Sequence, residues 1–597
     1  SLPTTDDLRP TTVVICLLAM LAVFLLTPRG DAAPAPIDLR ADLGFGGWIV
    51  PGAWTPLRVD ITAREPLDGE LVVSAGTASG RESLWRVPLQ LGPGARQRLD
   101  LDVIVGDPRR PVVLSVYHRG ALLVSTRIMT TALRVTEGIV LGLTNDAAGL
   151  EIVARLPQGL RPAYVRESQL PRRWQDYEGV ALVVVRDLID SRLLPVQRDA
   201  LIQWIAQGGR LLVTDGDSPA LRLSWLREVL PARAGAAARS LVLPLVSGTD
   251  RAVPVVEITP HPAADVTRDG GAAVSARWHY GRGVATVWAF DPLTPEARAW
   301  PTRRRLWSSL FEMQSHPALP SADLGRVLPI SQALPGRAQL GLLVLTVLYV
   351  LAVRHAQRRW VPHSGWLGLI ASTVISGGLM YAYAVSARGS AIAATQVTVI
   401  EIQGDLRSAR AATYVSIANV YGSTYRLRAP EGATIRALDG SAVTYARTSN
   451  DIASAGPGRG LIFESLQVIP QIVRARIVEQ GSRTQLAVRT IPGLRVASPV
   501  VLLRGRIYRL PDFEEQLSLV LDPTKWEGVN GREGSFRGDI RGQIRSVLYA
   551  RLREMEDLRE RPWLIGWVND PRARVLLSPG DAGPALQLLV AEVTTEK

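Results

Sequence analysis

From about Ile37 onward, apolar and polar side chains alternate with a period of two. Leu57, Val59 and Ile61 alternate with polar neighbours, as do Val87, Leu89 and Leu91, and then Leu99, Leu101, Val103 and Val105. This pattern predicts strands with one wet face. Gly92-Pro93-Gly94 and Arg119-Gly120 supply turns at the spacing of a sandwich. Residues 37–136 are therefore expected to form a β-sandwich.

The pattern changes near Gly138. Apolar runs now alternate with helical periodicity: Ile139–Leu143, a helix near Ala147–Leu156, Val180–Val185, a helix at Pro195–Ala206, then Arg210–Thr214. Such alternation predicts a parallel sheet over 138–314 with helices on both faces. Val180–Val185 is continuously apolar, as a strand covered on both faces should be. In Pro195–Ala206 the proline suits the first turn, Leu201, Ile202 and Ile205 form the inward stripe, and Gly208-Gly209 ends the helix.

Two longer apolar runs follow. Leu340–Val353 and Trp366–Val385 carry no Asp, Glu, Lys, Arg or His, and Arg354–Gly365 between them holds three arginines and no acid. The 20 residues of the second run match the ~30 Å of a bilayer core, although the 14 of the first suit a buried helix better. The expectation is a two-helix transmembrane hairpin over 338–386. Its cytoplasmic loop, 354–365, is oriented by Arg354, Arg358 and Arg359. A linker, 315–337, precedes it. Beyond it, 389–597 reads as a mainly-β domain with one helix near 538–560, where Ile540, Ile544, Val547, Leu548, Met555 and Leu558 share a face.

The N-terminal apolar run Val13–Leu26 predicts a signal peptide or an N-terminal anchor within 1–36. Together these segments predict a bacterial inner-membrane protein with large extracytoplasmic domains. The bilayer and other envelope proteins are its expected partners.

Charge changes the picture little. The balance is +13, but only two of the 68 basic residues are lysine, Lys525 and Lys597, and the arginines are spread along the chain. A nucleic-acid groove is not expected. The single cysteine, Cys16, excludes an intrachain disulfide and a cysteine-based zinc site. No cofactor, metal or catalytic set is expected. His261 and His316 each precede a proline, a loop setting that suits a structural role. The candidate binding residues are Asp215, Gly216 and Asp217, which follow a strand at the carboxyl edge of the inferred sheet. A plain glycine turn, with Asp217 or Ser218 capping a helix at Pro219–Leu230, competes with that reading.

Several stretches carry resemblances. GGWIVPGAWTPLRVDI (Gly46–Ile61) resembles the opening of Ig-like domains in bacterial envelope proteins. YEGVALVVVRDLIDSRLLPVQRDALIQWIAQGGRLLVTDGD (Tyr177–Asp217) resembles the core of class I glutamine amidotransferase-like domains. YGRGVATVWAFDP (Tyr280–Pro292) is similar to the closing strands of their membrane-bound members. The resemblance implies a flavodoxin-like α/β fold. Active members use a cysteine nucleophile with a histidine and an acid, and 138–314 has no cysteine. It therefore implies a non-catalytic relative.

The expected fold class is thus multidomain α/β plus β: Ig-like sandwich, amidotransferase-like α/β domain, transmembrane hairpin and C-terminal mainly-β domain. This layout resembles uncharacterised bacterial envelope proteins that accompany exporters or AAA ATPases. It implies a non-enzymatic membrane-anchored scaffold or accessory subunit. An envelope ligand sensor using Asp215–Asp217 and an envelope hydrolase are the alternatives.

Overall fold

The computed structural model describes residues 37–129, 131–132, 137–144, 147–313, 341, 343–351, 353–354, 370, 373–382, 392–404, 406–419, 424–438, 440–446, 448–455, 458–480, 483–528, 540–554, 561–578 and 585–596. The signal or anchor segment, the linker, Arg358, Arg359 and His316 lie outside them.

The period-two segments do form strands. Ile37–Leu43, Trp54–Ala63 and Arg96–Ile104 make a three-stranded antiparallel sheet. Leu57, Val59 and Ile61 are buried on its inner face. The facing sheet has eight strands, and only four of them, Leu67–Gly76, Glu82–Leu91, Val112–His118 and Ala121–Ile128, come from this part of the chain.

The other four are Arg426–Arg428, Val443–Tyr445, Asp451–Ala455 and Leu576–Ser578. Val443–Tyr445 joins Glu82–Leu91 in parallel, with Thr444 opposite Leu84 and Tyr445 opposite Trp85. One apolar core, with Leu57, Val73, Trp85, Tyr425, Tyr445 and Phe463 among its members, draws on both ends of the chain. The self-contained sandwich expected over 37–136 is thus completed by strands from the C-terminal region.

Residues 137–313 hold a seven-stranded sheet. Its order is Arg161–Tyr164, Ile139–Leu143, Val180–Val185, Arg210–Val213, Gly283–Trp288, Ala272–Tyr280, Asp265–Asp269. The first five strands are parallel and the last two antiparallel. Leu182–Val185 are almost wholly buried, which follows from their unbroken apolar character. The longest helix among its described residues is Pro195–Ala206. Ala147–Arg155 is a 3-10 helix, and the expected helix at Pro219–Leu230 is two short 3-10 turns, Pro219–Arg222 and Ser224–Leu226. An antiparallel hairpin, Ala232–Val242 with Ala252–Pro260, occupies the connection before the antiparallel strands.

The C-terminal region builds the largest sheet. Among its strands are Ile392–Ile402, Ser408–Asn419, Gly458–Pro470, Arg495–Leu503, Trp563–Val568 and Ala585–Glu592. A four-stranded sheet containing Val473–Gln480 and Arg483–Thr490 accompanies it. The helix Ile540–Glu554 sets Ile544, Leu548 and Tyr549 into a core with Trp563 and Trp567.

Two expectations are corrected. The fold class is predominantly β, with strands taking 50% of the described residues and helices 20%, rather than α/β plus β. The cause lies in the crossovers: several between parallel strands are 3-10 turns, too short to layer helices over both faces as a flavodoxin-like domain requires. The second correction concerns the membrane. Among the described residues, no helix is long and apolar enough to cross one. The transmembrane hairpin, the orienting role of Arg354 and the inner-membrane location with extracytoplasmic domains lose the spans on which they rested.

Candidate functional site

The parallel sheet ends, at its carboxyl side, in a group of polar residues that the strands deliver together. Thr144 follows Ile139–Leu143, Arg186 and Asp187 follow Val180–Val185, Thr214 and Asp215 follow Arg210–Val213, and Asp291 lies three residues past Gly283–Trp288. Parallel pairing places these ends side by side, as the bond from Thr214 N–H to Val185 O shows (3.0 Å).

Asp215 has a φ of +68°, in the left-handed region. Aspartate is among the few residues that visit it, because its side chain bonds the local backbone. Here Asp217 N–H donates to Asp215 Oδ1 (3.2 Å) and Ser218 N–H to Asp215 O (2.8 Å). Asp215 N–H donates to Phe290 O (3.1 Å), which ties the turn to the neighbouring strand end. Gly216 follows because a Cβ there would lie 2.4 Å from Val256 O.

Asp217 is exposed and pairs with Arg222. Ser218 caps Pro219–Arg222, accepting from Ala220 N–H, and its own hydroxyl donates to Arg186 O (2.8 Å). The three candidate residues therefore sit where the sequence placed them, and each has a structural task in a tight turn.

The neighbours that sequence reasoning missed carry the electrostatics. Asp291 is largely buried and accepts from Arg186 (3.0 Å) and from Leu293 N–H (2.9 Å). Burial pushes its carboxyl above the usual range; Leu293 N–H and Arg186 pull it back, and Asp215 and Asp187 add to the rise. Thr144 Oγ1 donates to Asp187 Oδ2 (3.4 Å). Thr214 is fully buried. The signal for these residues was present: Arg186-Asp187 and Asp291 are the first charges after apolar strands.

This edge can accept hydrogen bonds from a polar group or hold a proton on Asp291. Among the described residues, no group of three or more His, Cys, Asp or Glu could hold a metal ion. The described histidines lie elsewhere. His261 packs against Trp278 with ring centres 4.8 Å apart. His279 pairs with Val284, near the start of the strand whose far end leads to Asp291.

Comparison with known proteins adds little to this geometry. Residues 36–131 match a family described as a domain of unknown function, DUF8726. That span coincides with most of the N-terminal β unit and covers a minor part of the chain. No curated protein matches the chain. Among solved structures, the X-ray structure of Northeast Structural Genomics Consortium target SoR45 is similar over 17% of this chain and 90% of its own, at 10% identity. Its TM-score of 0.12 is too low to carry an argument.

Proposed function

We propose that the chain is a non-enzymatic scaffold or accessory subunit that binds another protein. The observation that carries this reading is an apolar surface on the helical residues between the α/β unit and the C-terminal sheets. Leu343, Val347, Leu348 and Leu351 are 51–62% exposed, and Val374, Ile375 and Leu379 are 60–68% exposed. Tyr349 and Thr373 share a hydrogen bond of 2.8 Å, so the two segments present these side chains side by side. Exposed apolar patches of this kind mark interaction sites.

The β units serve this reading as a platform. The C-terminal strands close the N-terminal sandwich, so the partner would dock on one assembled body. The test is purification of the full chain from its native source under gentle conditions. A partner protein should co-purify at fixed stoichiometry and be lost in the double variant Val347→Asp/Leu351→Asp. Recovery of the wild-type chain by itself would overturn the reading.

A second reading, a ligand sensor at the carboxyl edge, draws on the raised carboxyl of Asp291 beside Asp187 and Asp215. It calls for a polar ligand whose stabilising effect disappears in Asp215→Ala/Asp217→Ala. The hydrolase reading gains nothing from these contacts.

A further inference from the structure

The opposite end of the parallel sheet holds a cavity of about 370 Å³. Three parts of the chain line it: Trp54 from the N-terminal unit, Gln175, Arg210 and Arg282 from the α/β unit, and Arg410 and Arg436 from the C-terminal sheets. A cavity of this size suits a small molecule.

Its charge is uneven. Arg436 is bracketed by Glu178 and Glu464, each 2.7 Å away. Arg282 and Arg410 both approach Glu401, at 4.0 and 3.7 Å. Arg210 has no carboxylate within ion-pair distance among the described residues. Its guanidinium lies 5.5 Å from the centre of the Phe311 ring, and its Nε is buried without a hydrogen-bond partner. Among the described residues Arg210 is thus a guanidinium of this lining with no carboxylate partner, held in a partly enclosed space. An unbalanced buried charge is costly unless something neutralises it.

The neutral polar groups point the same way. Gln175 is 2% exposed; its Nε2 donates to Gly432 O (3.1 Å) and Leu466 O (3.2 Å), while its Oε1 has no partner. Gln207 Oε1 and Trp174 Nε1 are likewise buried without partners, and both residues line the cavity. The lining thus offers guanidinium and indole donors to an oxyanion, and two amide oxygens to hydroxyl donors on the same molecule.

We propose that this cavity binds a small hydroxylated oxyanion, with Arg210 as the group that selects for negative charge. A sugar phosphate and a sugar acid share that chemistry. The proposal stands apart from the scaffold reading, because it uses neither the helical pair nor the carboxyl edge.

Titration calorimetry on the full chain, with inorganic phosphate, glucose 6-phosphate and gluconate at ~0.15 M salt, tests it. Saturable binding of glucose 6-phosphate or gluconate is expected, and tighter binding of one tells which oxyanion fits. Arg210→Met should weaken it by about tenfold or more, since a charge-assisted hydrogen bond is lost. Arg222→Met, on the far side of the sheet, should leave it unchanged. If Arg210→Met does not fold, Gln207→Leu serves as the second variant and should weaken binding by several-fold. Absence of saturable binding with all three probes overturns the proposal. So does equal affinity in wild type and whichever variant folds.

Discussion

The two ends of the parallel sheet teach opposite lessons. At the carboxyl end, the charged residues come from one continuous region, and their contacts stay within it: Asp215 holds its own turn, Asp217 pairs with Arg222, and Asp291 pairs with Arg186. At the amino end, the charged residues come from distant parts of the chain and pair across them, as Glu178 does with Arg436. The first end is the conventional place for a ligand in an open α/β sheet. The second has the cavity, the buried arginines and the uncommitted polar atoms.

Substitutions separate the two ends, and the amino end should respond most. Arg436→Met leaves Glu178 and Glu464 facing each other with no cation between them. Glu464 is 3% exposed, so the variant should lose about 3–5 kcal/mol, read as a drop in the denaturant midpoint at constant slope. A loss below about 1 kcal/mol would mean that the seam is solvated.

At the carboxyl end the largest effect should come from the backbone. Asp215→Val forces a β-branched residue to φ +68° and removes the bond to Asp217 N–H, at a cost of about 1–2 kcal/mol. Asp215→Gly should be tolerated. If the two variants unfold alike, the turn is not held in the left-handed region.

Asp291 should give a smaller, pH-dependent effect. Its folded-state pKa is raised, so the native protein holds that proton more tightly than the unfolded chain. The corresponding stability is fully present below the usual aspartate value of 3.8 and is lost as pH rises through the folded value. Asp291→Asn removes this slope, so the variant should gain on the wild type as pH climbs from 3.8. Parallel pH–stability curves would contradict the assignment. Smallest of all, Asp217→Ala should leave the unfolding midpoint unchanged, because the pair with Arg222 is exposed on both sides.

Local patterns were legible and distant pairings were not. Val180–Val185 and Pro195–Ala206 appear with the bounds that apolar continuity and the Pro/Gly punctuation imply. The strands Trp54–Ala63, Glu82–Leu91 and Arg96–Ile104 follow from alternation. Helical periodicity near 147–156 did not survive as an α-helix, since packing decides between α and 3-10 in so short a crossover.

The pairing of Val443–Tyr445 with Glu82–Leu91 leaves no local mark, because parallel register is set by partners far away in sequence. The same holds for the amino-end cavity. Asp215–Asp217 stood out because the residues are adjacent, whereas Arg210, Arg282, Arg410 and Arg436 are scattered, and a chain so rich in arginine hides four that converge. The membrane hairpin was read from hydropathy and an arginine-rich loop, and among the described residues no helix is long and apolar enough to cross a membrane.

Everything at the amino end depends on separate parts of the chain meeting there. A double-mutant cycle on Arg436→Met and Glu178→Gln tests that most directly. These groups lie 2.7 Å apart on segments that sequence order keeps distant. A coupling energy of about 1 kcal/mol or more is expected. Additivity within about 0.3 kcal/mol would show that the two segments do not meet in solution, and the cavity between them would fall with the seam.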